Sequence, residues 1–238
     1  MAVNIICKGP GDSANVFEKP IVDFLYRSFK SKEIYIVSPW LSRIELGNRK
    51  FIYYPYVSTS SVIEILRAIM DKGVRIYVAT RCFDFIDNQL IALAYNINSL
   101  HTAEAIRTYI KDELKNMITR MQATLDLCKL ANIELRFDIN NMLHSKVYVN
   151  DFIAISGSLN FTYYGMYRNY ECITIIPKDS DPQSYEILRG YAKKVVDGLK
   201  DFGECEKQVL DSIEEALNIR LSRFKDLMGL LEEILRRI

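Results

Sequence analysis

The stretch HSKVYVNDFIAISGSLNFTYYGMYRNYECITI, residues 144–175, decides how this chain is read. It contains three runs rich in β-branched and aromatic residues, SKVYVN at 145–150, FIAISG at 152–157 and YECITII at 170–176, and each predicts a strand. Alternate residues of a strand share a face, so His144 and Lys146 project the same way from the start of the first. An imidazole beside an ammonium is poor core material, because each would need a buried partner. Gly157 permits a sharp turn after the second strand, and Ser158 and Asn160 then present a hydroxyl and an amide. If the two strands pair, Lys146, Ser158 and Asn160 can converge on one anion. An imidazole among such donors suits attack on a phosphate, with the ring as nucleophile and the donors stabilising charge on the oxygens. Glu171, on the third strand, is placed to accept from His144 Nδ1–H, which would leave Nε2 free to attack.

Upstream, the pattern is that of an α/β protein. VNIIC at 3–7 predicts a strand, GPGD a turn, and residues 16–29 a helix with Val16, Phe17, Ile21, Phe24, Leu25 and Phe29 on its apolar face. Residues 33–38 predict a strand stopped by Pro39, 61–72 a capped helix ending before Gly73, and VRIYVAT at 74–80 the next strand. This strand–helix–strand run indicates parallel pairing. A long helix is expected over 102–131, a strand at 133–137 and a helix over 183–199. From 207 to 238, Leu210, Leu217, Phe224, Leu231 and Ile238 recur every seven residues, so this helix must bury a broad face on its own domain or on another chain.

Composition narrows the class. With 238 residues, 49% hydrophobic and 26% charged, the chain can build a sizeable core. No apolar run approaches the roughly 20 residues of a membrane helix, and no leader-like pattern opens the chain, so a cytoplasmic protein without stable membrane insertion is expected. The net charge of +1, from 31 basic and 30 acidic residues, gives no whole-chain argument for nucleic acid. Five scattered cysteines without a CxxC pair predict buried free thiols rather than disulfides or a zinc site.

The combination H-x-K-x4-D followed by G-S-x-N resembles the signature of the phospholipase D superfamily. His144, Lys146, Asp151, Gly157, Ser158 and Asn160 stand at every position of it, Asn169 and Glu171 look like its trailing N-x-E, and SPWL at 38–41 resembles its first core strand. Average residue usage yields H-x-K-x4-D by chance in roughly one chain in a hundred of this length, and the added GSxN makes the signal strong. The resemblance implies an α/β, phospholipase D-like fold: a mixed, mostly parallel sheet flanked by helices on both faces. The catalytic domain is expected over 1–180, with a C-terminal helical extension over 181–238 for dimerisation or partner docking. It implies phosphodiester cleavage without metal or cofactor, through a phosphohistidine. On this chain His144 would be nucleophile or acid, Lys146 and Asn160 would bind phosphate, Ser158 would support the site, Glu171 would orient His144, and Asp151 would tie strands and loops together. Gly157 and Asn169 belong to the motif's frame.

The family's chemistry uses two motif histidines, and this chain has one motif. Its other histidine, His101, lacks a lysine two residues on. One-motif members form homodimers with the site on the twofold axis, so an isologous dimer is expected. The expected substrate is DNA or RNA; the alternatives are a phospholipase or phosphatidyl transferase, and a non-catalytic nucleic-acid-binding scaffold. Arg81 and Arg168, with Lys72 and Arg136, are candidate phosphate contacts. Tyr54 and Tyr56, within FIYYPYV at 51–57, are candidates to line the site, stacking on a base or lying against an acyl chain. The plainer reading of that run is an edge strand packed on the body.

Overall fold

The computed structural model describes residues 2–47, 51–53, 57–82, 133–140, 142–201 and 203–205, with 102, 104, 105, 108, 109, 123, 124 and 126–130. In chain order the elements are β1 (Asn4–Cys7), α1 (Glu18–Ser28), β2 (Glu33–Val37), β3 (Phe51–Tyr53), β4 (Val57–Thr59), α2 (Val62–Met70), β5 (Arg75–Arg81), β6 (Ile133–Asp138), β7 (Val147–Val149), β8 (Ile153–Gly157), α3 (Tyr163–Tyr167), β9 (Cys172–Pro177) and α4 (Pro182–Gly198). Seven strands form one sheet in the order β1-β9-β8-β7-β2-β5-β6, and β3 and β4 form a separate hairpin.

Alternation along β2 sorts its side chains into two cores. Ile34 and Ile36 pack with Phe24 and Leu25 of α1 and Ile65, Leu66 and Ile69 of α2. Tyr35 and Val37 face the other way, with Tyr185, Ala192 and Val196 of α4. Helices therefore cover both faces, as the α/β class requires, and β2, buried on both sides, reads as a continuous apolar run. Helix α4, the start of the expected C-terminal extension, lies on this second face, capped by the Asp181 side chain accepting from Ser184 N at 3.0 Å. The heptad region 207–238, His101 and most of the expected 102–131 helix lie outside the described residues.

The sheet is mixed, but its balance differs from expectation. Only β2–β5 and β5–β6 pair in parallel; the other four pairings are antiparallel. Connection length explains this. Residues 150–152 alone join β7 to β8, a span that permits a hairpin but no crossover. Asn150 builds that turn. Its Oδ1 accepts from Phe152 N and Ile153 N, both at 2.9 Å, and its Nδ2 donates to Phe24 O of α1 at 2.9 Å and Ser28 Oγ at 3.2 Å. Asn150 is fully buried, so Asn150→Ala would strand donors and acceptors on both sides. The expected cost is about 3 kcal/mol, read by urea or thermal unfolding.

The aromatic run at 51–57 packs on the body where it is described. Phe29, at the end of α1, stacks on Tyr53 with centroids 4.0 Å apart, and on Phe51 at 5.9 Å. Tyr54 and Tyr56 lie outside the described residues.

The cysteines correct the sequence reading. Cys7–Cys172 and Cys82–Cys205 are disulfides, and Cys128 is free and exposed. The bonded partners stand 165 and 123 residues apart, so no spacing motif marks them. The β1–β9 register sets Cys7 directly opposite Cys172. Disulfides persist in oxidising compartments and in intracellular proteins of hyperthermophiles, so these thiols lend the cytoplasmic expectation no support. Among the described residues no helix is long and apolar enough to cross a membrane.

Candidate active site

Strand direction gathers the candidate residues. β2, β5 and β6 run parallel, so Trp40, Arg81 and Asp138 fall at one end of the sheet, at or just beyond their C-terminal ends. β7 runs against β2, which puts its N-terminal approach, His144 to Lys146, at that same end. β8 reverses again and delivers Gly157, Ser158 and Asn160 there; β9 begins there with Glu171 and Cys172, and β1 ends there with Cys7 and Lys8.

The imidazole of His144 is exposed, while Lys146 beside it is 7% exposed. Lys146 Nζ lies 3.4 Å from His144 Nδ1 and 3.5 Å from Nε2, and donates to His144 O at 2.6 Å. Among the described residues Lys146 makes no salt bridge. Burial holds its ammonium below the ordinary lysine range; the Glu171 charge opposes this and the Arg81 charge adds to it. The sign for stability follows. Below the lowered value the buried charge destabilises the fold, and the penalty fades as pH rises through that value toward the ordinary lysine range. Lys146→Met removes the penalty, so its Tm at pH 7 is expected to hold or rise while any hydrolytic activity is lost. A Tm drop of several degrees would refute this.

The turn carrying Ser158 and Asn160 is fastened on several sides. Ser158 N donates to Cys172 O at 2.9 Å, and Ser158 Oγ accepts from Cys172 N at 3.0 Å. Ser158 thus clamps the turn to β9. A Cβ on Gly157 would stand 2.1 Å from Cys172 O, so the approach of β9 requires glycine there. A Cβ on Gly165 would stand 2.6 Å from Asn160 O, so α3 too packs directly on this backbone. The buried Tyr148 hydroxyl donates to Leu159 O, and burial pushes its pKa far up. Asn160 Oδ1 is buried without a hydrogen-bond partner among the described residues. Such an orphaned acceptor is costly unless a donor completes it.

Glu171 is buried, and its Oε1 accepts from Asn169 Nδ2 at 3.2 Å. Among the described residues it makes no hydrogen bond to His144, whose ring nitrogens both lie within 3.5 Å of the Lys146 ammonium. Asp151 lies at the opposite end of the sheet. It accepts from Lys32 N at 2.6 Å and stands 3.6 Å from Arg189 of α4, tying the β7–β8 turn to the start of β2 and to α4.

Of the candidate phosphate contacts, Arg81 stands next to the segment that carries His144. Its Nε donates to Leu143 O at 2.7 Å. Arg168 is exposed just past α3, Arg136 pairs with Glu134 at 2.6 Å within β6, and Lys72 precedes β5 at the far end. Two residues went unnoticed in the sequence as parts of this site. Buried Asp138 accepts from Leu143 N and, at 3.1 Å, from Asn140 N, shaping the turn that presents His144. Trp40 sets its ring edge-on to His144, with centroids 6.4 Å apart at 83°. The chain's single tryptophan, directly after the proline that ends a strand, was the available signal.

A family model described as "Cardiolipin synthase, PLD-like domain" matches residues 47–194. Among solved structures, the chain is similar to Nuc, a phospholipase D family member from Salmonella typhimurium, at 17% identity and a TM-score of 0.46, covering 84% of this chain and 97% of that one. It is similar to NucT from Helicobacter pylori at 13% identity and 0.47, covering 84% and 98%. It also resembles TrmBL2, an archaeal chromatin protein, at 12% identity and 0.43, covering 84% of this chain and 54% of that one. No curated protein matches in sequence.

Proposed function

Because this chain belongs to the phospholipase D superfamily, through a PLD-like domain matched over residues 47–194, we propose that it is a phosphodiesterase that cleaves nucleic acid at a site shared by two copies of the chain. One observation carries the reading: a buried lysine without an ion pair among the described residues, held within 3.5 Å of both nitrogens of an exposed imidazole. A cation so placed is costly in the isolated fold and becomes favourable once a phosphate arrives.

In this mechanism His144 Nε2 of one copy attacks phosphorus, and the P–O bond to the leaving group breaks as the P–N bond forms. The departing oxygen takes a proton from His144 of the second copy. That second imidazole then takes a proton from water as the water oxygen displaces His144 from phosphorus. Lys146 and Asn160 hold the non-bridging oxygens, and Asp138 and Ser158 keep the two turns in place. No step requires a metal ion.

A phosphatidyl transferase is the second reading, favoured by the cardiolipin synthase named in the matching family model. Labelled single-stranded DNA, duplex DNA, RNA and phosphatidylglycerol, each incubated with EDTA, separate the two. Nucleic-acid cleavage that survives EDTA and disappears in His144→Ala supports the first reading. Lipid turnover alone supports the second, and activity that needs Mg2+ overturns the mechanism.

A further inference from the structure

We propose that Tyr148 and Ser38 are positioning residues for Asn160, their buried hydroxyls fixing the peptide units on either side of it so that its amide is presented to phosphate; this rests on the phosphodiesterase reading. The Tyr148 hydroxyl donates to Leu159 O, and Ser38 Oγ accepts from Phe161 N at 3.0 Å. One bond holds the peptide that enters Asn160 and the other the peptide that leaves it. Asn160 is half-buried with Oδ1 on its buried side, which leaves the Nδ2 donor for an anion.

Chain geometry makes such anchors necessary. Strand β8 ends at Gly157, so the backbone at Leu159 and Asn160 lies beyond it and its polar groups need other partners. Leu159 and Phe161 are buried in the same core as Tyr148, and Asn160 stands between them. A swivel of either flanking peptide would therefore turn the Asn160 amide. Tyr148 follows Lys146 by two residues, on the same face of β7 and its approach. One segment thus carries the phosphate-binding ammonium and the hydroxyl that sets the amide, which keeps the two in a fixed relation.

Packing alone gives no reason for a hydroxyl at 148. The Tyr148 ring lies 5.5 Å from Phe161 and 6.4 Å from Phe24, contacts a phenylalanine would keep. Burying a phenol costs free energy unless it is bonded, and this one is bonded beside Asn160. Burial pushes its pKa far up, so it stays a neutral donor. Ser38 is itself fixed just past β2: its Oγ donates to Trp40 O at 2.8 Å and its N to Ala79 O at 2.9 Å.

Nitrogen-15 NMR of the side-chain amides tests this directly, with the Asn160 peak assigned by its loss in Asn160→Ala. In wild type, inorganic phosphate should move that peak saturably. In Tyr148→Phe the peak should start at a different position and need about fivefold more phosphate to reach half its shift. The peak of Asn4, on β1, should stay in place, which separates positioning of Asn160 from a general loosening of the fold. Ser38→Ala should reproduce the pattern, and it carries the comparison should Tyr148→Phe not fold. An Asn160 peak and phosphate midpoint unchanged by loss of the hydroxyl overturn the proposal. So does an Asn4 peak that moves as far as that of Asn160, or a wild-type Asn160 peak blind to phosphate. Wild type that responds to phosphate but cleaves no phosphodiester counts against the function reading alone, and the variants then decide this one.

Discussion

Chains carrying His144→Ala, refolded together with unaltered chains, are expected to inactivate them. If each site needs one imidazole from each of two copies, only dimers of two unaltered chains work. Random pairing of an equal mixture then leaves about a quarter of the activity, where independent sites would leave about half. The pure variant should lose activity by a factor on the order of 10⁴ or more, the scale seen when a nucleophile is removed from a machinery that acts as a unit. The dose curve is the sharper test, because a quadratic fall reports sharing and a straight line denies it. The argument rests on one exposed imidazole with one ammonium beside it. A protonated leaving-group acid is also needed, and no second histidine stands with His144 among the described residues.

Reduction of the two disulfides is expected to have the largest effect on stability. Cys7–Cys172 closes 165 residues and Cys82–Cys205 closes 123. In the chain-entropy account, loops of this length contribute roughly 5 kcal/mol each when taken alone, and less together because they overlap. Calorimetry with and without a phosphine reductant should show Tm falling by roughly 10–20 °C. Separate Cys→Ser pairs should divide the effect. Losing Cys7–Cys172 loosens β1 beside Glu171, whereas losing Cys82–Cys205 frees the chain beyond α4 from the end of β5. An unchanged Tm would mean that the crosslinks constrain nothing the fold does not already fix.

Much of this fold is legible in the sequence. The period-2 runs around His144 and Asn160, and the strand–helix–strand run through β2, α2 and β5, carry short-range signals, and their elements fall within a few residues of expectation. The five-residue helix α3 was not anticipated, being too short for a helical period to show. The cysteine pairing, the clamp from Ser158 to β9 and the place of Trp40 depend on contacts between distant residues, which no local pattern encodes. Glu171 illustrates the limit. Its strand follows from the pattern, but its hydrogen-bond partner, Asn169 and not His144, depends on side-chain placement that the pattern does not encode.

Between Gly157 and Gly165 the loop leaves almost no room at its two ends, where backbone from β9 and from Asn160 sits closer than any side chain permits. Substitutions meant to alter the surface beside His144 should keep both glycines and fall on the exposed Tyr163 and Tyr164 instead. Variation confined to those positions would change the exposed face of α3 while the turn beneath it keeps its backbone.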